Sequence, residues 1–168
     1  MFIAWPKIPR YENDLVCITE KIDGTNACVA IHDDGTYHVQ SRSRIITPED
    51  DNYGFAQWVH QHAEILVSTL GPGYHYGEWW GGSIQRGYGV ERQFSLFNVG
   101  LWNKDNLPPC IGVVPILYQG KLTPKVIEHF KSDLIEQGSR AVAGYMEPEG
   151  FCIYYTQSKT YQKVIINK

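Results

Sequence analysis

Lys21 stands in Glu20-Lys21-Ile22-Asp23-Gly24-Thr25-Asn26, directly after an apolar run and three positions before a glycine. On its own that segment reads as well as a charged turn. Four more segments place chemistry-bearing side chains where a strand normally carries Val, Ile or Thr. Ser41-Arg42-Ser43-Arg44 closes a hairpin. Tyr76-Gly77-Glu78-Trp79-Trp80-Gly81 puts one acid in an apolar strand. Glu149-Gly150 heads the run Phe151-Cys152-Ile153, and Lys163 lies in the last strand-like stretch. A lone acid on a strand usually faces water. Two acids, two lysines and an arginine spread over five strands instead suit one polar pocket on a sheet floor, where charged groups meet a ligand.

Those positions need a scaffold, and strand signals supply most of it. Apolar or alternating runs are predicted as strands over 15–19, 27–32, 36–40, 74–79, 94–99, 113–118, 151–155 and 161–166. Asp33-Asp34-Gly35 reads as a hairpin turn between the second and third. One helix is predicted from Thr47-Pro48-Glu49-Asp50, with a capping hydroxyl, a proline and acids in the first turn. Its stripe is Phe55, Trp58, Val59, His62, Leu66 and Leu70, and it stops at Gly71-Pro72-Gly73. A second runs from Thr123-Pro124 to Gly138 with Val126, Ile127, Phe130 and Leu134 inward. His60 and His62 point to different helix faces and do not suit a shared metal. Trp79 and Trp80 read as one core residue and one at a pocket rim.

Composition bounds the partners. With 15 Lys plus Arg against 18 Asp plus Glu the net charge is −3, so any nucleic-acid contact must be a local basic strip. Arg42, Arg44, Arg86, Arg92 and Lys163 are the candidates. No apolar run is long enough for a membrane helix, and Met1 to Pro6 lacks the features of a signal peptide. The four cysteines form no C-x-x-C pair, which predicts reduced thiols and a cytoplasmic location. The glycine-rich stretch 81–89 reads as a mobile loop near the pocket. It is no P-loop, because no Gly-Lys-Ser/Thr follows.

The order Lys-x-Asp-Gly, Ser-Arg, Gly-Glu-x-x-Gly, Phe-x-x-Phe-Asn, Glu-Gly and a strand lysine resembles the covalent nucleotidyltransferases, which are polynucleotide ligases and messenger-RNA capping enzymes. Glu20 to Asn26 is most similar to ATP-dependent RNA ligases, in the branch that seals nicks in duplex RNA. The resemblance spans residues 19–166. It implies an α+β fold whose antiparallel sheets form a nucleotide-binding cleft with a few flanking helices, an adenylyltransferase or ATP-grasp-like ligase core. Residues 1–168 are expected to form a single nucleotidyltransferase domain without an OB-type domain.

The resemblance also implies roles. Lys21 would carry AMP from ATP as a phosphoramidate, then pass it to a 5′-phosphate RNA end for sealing to a 3′-hydroxyl. Lys163 would contact the α-phosphate as a second catalytic residue. Glu78 would bind the ribose hydroxyls, and Phe97 would stack on adenine, with Phe94 the competing stacker. Asn26 would lie near the transferred phosphate, and Glu20 would touch the adenine edge through its backbone. Glu149 would hold Mg²⁺ or Mn²⁺. Arg42 would reach the ribose or the RNA end, with Arg44 beside it on RNA. The expected partners are RNA ends or nicks in RNA repair, with a separate RNA-binding or end-processing protein and a monomeric state.

The chain departs from the pattern twice. The family usually ends Lys-x-Lys, whereas here Lys163 is followed by Val164-Ile165, leaving Lys159 or Lys168 for the missing charge. The Phe-Asp of the aromatic motif is Phe97-Asn98 here. Three alternatives stay open: a DNA ligase core, a GTP-using capping domain, and a non-catalytic nucleotide or RNA-end binding module.

Overall fold

The structure, a computed structural model, describes residues 2–3 and 14–167. Lys168 therefore lies outside the described residues, as do 4–13. Two sheets carry the fold. The first has four strands in the order β10-β9-β1-β8, with β1 Leu15–Lys21, β8 Ile116–Lys121, β9 Gly150–Tyr155 and β10 Thr160–Ile165. The second has six in the order β4-β3-β2-β5-β6-β7. These are β2 Thr25–Ile31, β3 Tyr37–Ser41, β4 Ile45–Ile46, β5 Gly73–Trp80, β6 Gln93–Leu96 and β7 Ile111–Val113. All pairs are antiparallel except β6–β7, which is parallel. The expected α+β class with antiparallel sheets and few helices is what the chain adopts.

Alternation assigns the faces. In the first sheet Val16, Ile18, Phe151, Ile153 and Tyr155 point to one side and pack on α3, Pro124–Gln137. That helix is the expected one. Thr123 caps it by accepting from the Val126 amide at 3.2 Å, worth about 1 kcal/mol, and Gly138 ends it. In the second sheet Ala27, Val29, Ile31, Val39, Trp79, Phe94 and Leu96 pack on α1, Phe55–Gln61, and α2, Ala63–Leu70. Phe55, Trp58, Trp79 and Phe94 form one aromatic knot there, with centroids 5.0–5.9 Å apart.

Four expectations change. The first predicted helix does not open at Thr47. Thr47 and Asp50 close a turn on each other, and α1 starts at Phe55. Its N-cap is Gly54, and the carboxylate of Asp51, three residues earlier, accepts from the first-turn amides of Ala56 and Gln57 at 2.8 and 3.0 Å. The stripe then breaks at His62, whose ring binds the Trp58 carbonyl at 2.8 Å. The predicted strand over 113–118 splits at Pro115, so that β7 belongs to one sheet and β8 to the other. Proline has no amide to continue a ladder. Trp79 and Trp80 are both core residues, each 2 % exposed, on opposite faces of β5. Trp80 packs with Ile22, Tyr88 and Val114 in a small third core between the sheets. Finally, the stretch 81–89 is anchored rather than open: Ile84 and Tyr88 are 0 % and 2 % exposed, Ile84 and Gly87 donate backbone bonds within it, and Gly82 and Gly87 bond to Val90 just beyond it.

Candidate active site

The turn after β1 crosses from one sheet to the other, because β1 and β2 belong to different sheets. Lys21 therefore ends one sheet where the second begins. β1 runs against β9 with Lys21 opposite Gly150, which sets Glu149 beside it. The Lys21 Nζ donates to Glu149 Oε2 at 2.9 Å, with the two side chains 29 % and 17 % exposed. From the second sheet, Glu78 faces the same turn and accepts from the Gly24 amide at 3.1 Å. Gly24 permits this approach: a Cβ there would lie 2.4 Å from the Trp79 carbonyl oxygen and 2.7 Å from the Trp80 Cβ. Asn26 pairs directly with Glu78 across β2 and β5. Lys163 is exposed on β10 opposite Cys152, two residues along β9 from Gly150 and so on the same face. The Cys152 thiol is pushed up by burial, and Lys21, Glu149, Glu78 and Lys163 all act on it. The two acids and two lysines thus share one electrostatic neighbourhood.

Glu78 is 8 % exposed, and burial raises its carboxyl to about 7. The Lys21 charge and the Gly24 amide oppose that rise; the Glu149 and Asp23 carboxylates reinforce it. The folded protein then keeps a proton that the unfolded chain releases above its ordinary value of 4.5. Stability is expected to fall as pH rises from that value to about 7, by on the order of 3 kcal/mol. Urea unfolding across that range checks this. Glu78→Gln should flatten the decline, and an equally steep decline in the variant would place its origin elsewhere.

Three bracing contacts hold the turn and were not legible in the sequence. The Asp23 amide donates to the Tyr88 hydroxyl at 2.8 Å. Arg86 donates to Asp23 Oδ2 at 2.9 Å and also to the carbonyls of Glu147 and Asn167. Arg86 is thus a brace between the Lys21 turn, the approach to Glu149 and the chain end. Glu20, 1 % exposed, points away from Lys21 and accepts from Ser139 Oγ at 2.7 Å and from the Arg140 and Ala141 amides. Its own amide donates to the Pro115 carbonyl at 3.0 Å. The only sequence signal for Arg86 was a single arginine among glycines.

The remaining candidates fall into place. Phe94 is wholly buried in the aromatic knot, so it has no face left for a ligand, whereas Phe97 is 38 % exposed just past β6. Arg42 is exposed and makes no hydrogen bond or ion pair with the described residues, while Arg44 is bound to Asp50 and to the carbonyls of Asp50 and Asp51. Arg92 is held by the Tyr53 carbonyl and Ser83. Arg86 is therefore taken up by the fold, whereas Arg44 and Arg92 stay exposed while bonded to neighbouring loops. Lys159 sits just before Thr160 in the β9–β10 turn, at the opposite end of the hairpin from Gly150. Among the described residues, no three His, Cys, Asp or Glu side chains form a metal cage, and no helix is long and apolar enough to cross a membrane.

A family model described as RNA ligase matches residues 14–166. Solved structures of Naegleria gruberi RNA ligase share the fold. A variant with ATP and Mn has a TM-score of 0.62 at 19 % identity, covering 92 % of this chain and 50 % of that one. The enzyme with PPi has 0.62 at 20 %, with the same coverage. A variant with AMP and Mn reaches 0.64 at 19 %. At such identity the likeness is one of fold, and this chain spans about half the length of those structures. No curated protein matches the chain.

Proposed function

The chain belongs to the RNA ligase family, and from that premise we propose that it is the adenylation domain of an ATP-dependent RNA ligase, with Lys21 as the nucleophile. The observation that carries this reading is the Lys21–Glu149 contact at 2.9 Å, at a turn whose next glycine amide is bound by Glu78. Unprotonated Nζ attacks the α-phosphorus of ATP. A P–N bond forms, the P–O bond to pyrophosphate breaks, and the amine proton leaves. An oxygen of an RNA 5′-phosphate next displaces the lysine, which regains a proton. The 3′-hydroxyl of the second end then displaces AMP and closes the strand.

Glu149 is the residue for a divalent ion. Its carboxylate stays partly open beside Lys21, and Mg²⁺ or Mn²⁺ is commonly held by one or two carboxylates with phosphates completing the shell. Such an ion would neutralise phosphate charge. Lys163 takes the α-phosphate, Glu78 the ribose hydroxyls, Asn26 the neighbourhood of the transferred phosphate, and Arg42 the RNA end. Glu20 acts by holding the segment before Glu149. A role in RNA repair in a reducing, cytoplasmic compartment agrees with four free thiols.

Intact-mass spectrometry after incubation with ATP and Mg²⁺ or Mn²⁺ tests the reading. A gain of one AMP is expected. An unchanged mass overturns it in favour of a binding module, and an adduct with GTP alone favours a capping-type enzyme.

Phe97 is assigned to adenine. Phe97→Ala is expected to weaken ATP binding tenfold or more, since stacking contributes about 1–3 kcal/mol, while the adduct still forms at saturating ATP. A titration of adduct yield against ATP shows it. Unchanged half-saturation would remove Phe97 from the site.

A further inference from the structure

The face of the second sheet that carries Glu78 does not end there. On β5 the alternation that turns Glu78 to the cleft also turns Tyr76 and Tyr74 to that side, 55 % and 58 % exposed. The Tyr76 carbonyl accepts from the Phe97 amide at 3.0 Å, so the first of these rings adjoins the proposed adenine platform. The two tyrosine rings are 19° from parallel with centroids 6.3 Å apart. His38 on β3 meets Tyr74 edge-on at 6.0 Å, and His32 stacks on His38 at 5.0 Å. Between β3 and β5 the same face of β2 carries only Cys28 and Ala30, each 1 % exposed beneath these rings. The result is a shelf of aromatic faces running about 13 Å along β5 from Glu78, at about 3.3 Å per residue.

A solvated sheet face is normally polar, and exposed rings gathered in one patch mark a binding surface. We propose that this shelf seats the single-stranded RNA next to the end being joined, with unpaired bases stacking on Tyr76 and then Tyr74, and with His38, itself covered by His32, closing the far side. The proposal rests on the RNA ligase reading and gives it a substrate grip within this chain. Unpaired bases fit because every base has a π-face, whereas a duplex hides its faces. The charges set the direction. Arg42, exposed, follows β3 at the Glu78 end, where a phosphate backbone enters. On β2, β3 and β5 this face holds no carboxylate from Tyr76 onward, but the Asp33-Asp34 turn lies at the far end. Phosphates are attracted at one end and repelled at the other, which limits the seat to about two bases, one for each exposed tyrosine.

Fluorescence anisotropy with a labelled single-stranded RNA 12-mer tests this, using wild type, Tyr74→Ala, Tyr76→Ala, the double variant, and the matching Phe variants. Each alanine should weaken RNA binding by roughly fivefold to a hundredfold, and each Phe variant should bind like wild type. An RNA made abasic at the central positions should bind weakly to wild type and should not weaken further with the double alanine variant. Adduct formation with ATP should be unchanged throughout. The proposal is overturned if wild type does not bind the RNA, if the alanine variants bind like wild type, or if the Phe variants fall with them. If the RNA results hold but no protein forms an adduct, the ligase reading fails and the RNA seat stands.

Discussion

Lys21→Ala is expected to abolish the covalent AMP adduct, slowing its formation by on the order of four powers of ten or more, as removal of a nucleophile does elsewhere. Lys21→Arg should fail equally. A guanidinium keeps the charge and the geometry for Glu149, but it does not lose its proton in a protein and so offers no lone pair. ATP binding should survive in both variants, because Phe97 and Glu78 remain. Intact mass and equilibrium ATP binding, measured side by side, separate chemistry from binding. The choice of Lys21 rests on place: it lies at the crossing between the sheets, part-buried, paired to Glu149 at 2.9 Å. Lys163 is exposed on β10. An adduct that persists in Lys21→Ala would transfer the nucleophile's role to another lysine and end the mechanism described above.

Glu20→Ala should cost the fold more than any exposed substitution. One buried carboxylate satisfies the Ser139 hydroxyl and the Arg140 and Ala141 amides. Removing it strands the Ser139 hydroxyl proton and the Arg140 amide, while the Ala141 amide keeps Ser139 Oγ as acceptor; each buried unsatisfied group costs about 1–3 kcal/mol. A loss of about 3 kcal/mol or more is expected, and so a drop in Tm of roughly 10 °C for a chain of this size. Glu20→Gln should lose less, because its amide oxygen still accepts. Thermal unfolding of both variants measures the difference. If the two melt like wild type while ATP affinity collapses, Glu20 belongs to nucleotide recognition rather than to the clasp on 139–141. The clasp also has a functional reach, since the segment it holds leads to Glu149.

Which positions carry charge, and in what order, was written in the sequence. Strand alternation marked Glu78, Lys163 and Glu149 as out of place among apolar neighbours, and the ordered set marked the family. The α3 helix was legible because Thr123, Pro124 and Gly138 punctuate it locally. Local signals failed where a distant partner decided. Thr47-Pro48 looked like a helix start, but Asp51 outcompeted it by reaching the amides of α1. Phe94 competed with Phe97, the residue the resemblance favoured, until packing put Phe94 inside the aromatic knot. Arg86 looked like part of a basic strip until it proved to be bound to Asp23 and to the carbonyls of Glu147 and Asn167.

The distinction is physical. Residue type and spacing determine secondary structure and which chemistry a side chain is capable of, because both follow from a few neighbouring residues. Whether a side chain faces a ligand, a core or a neighbouring loop depends on which segments far apart in the chain come together. Only the two sheets, meeting at the turn after Lys21, decided that.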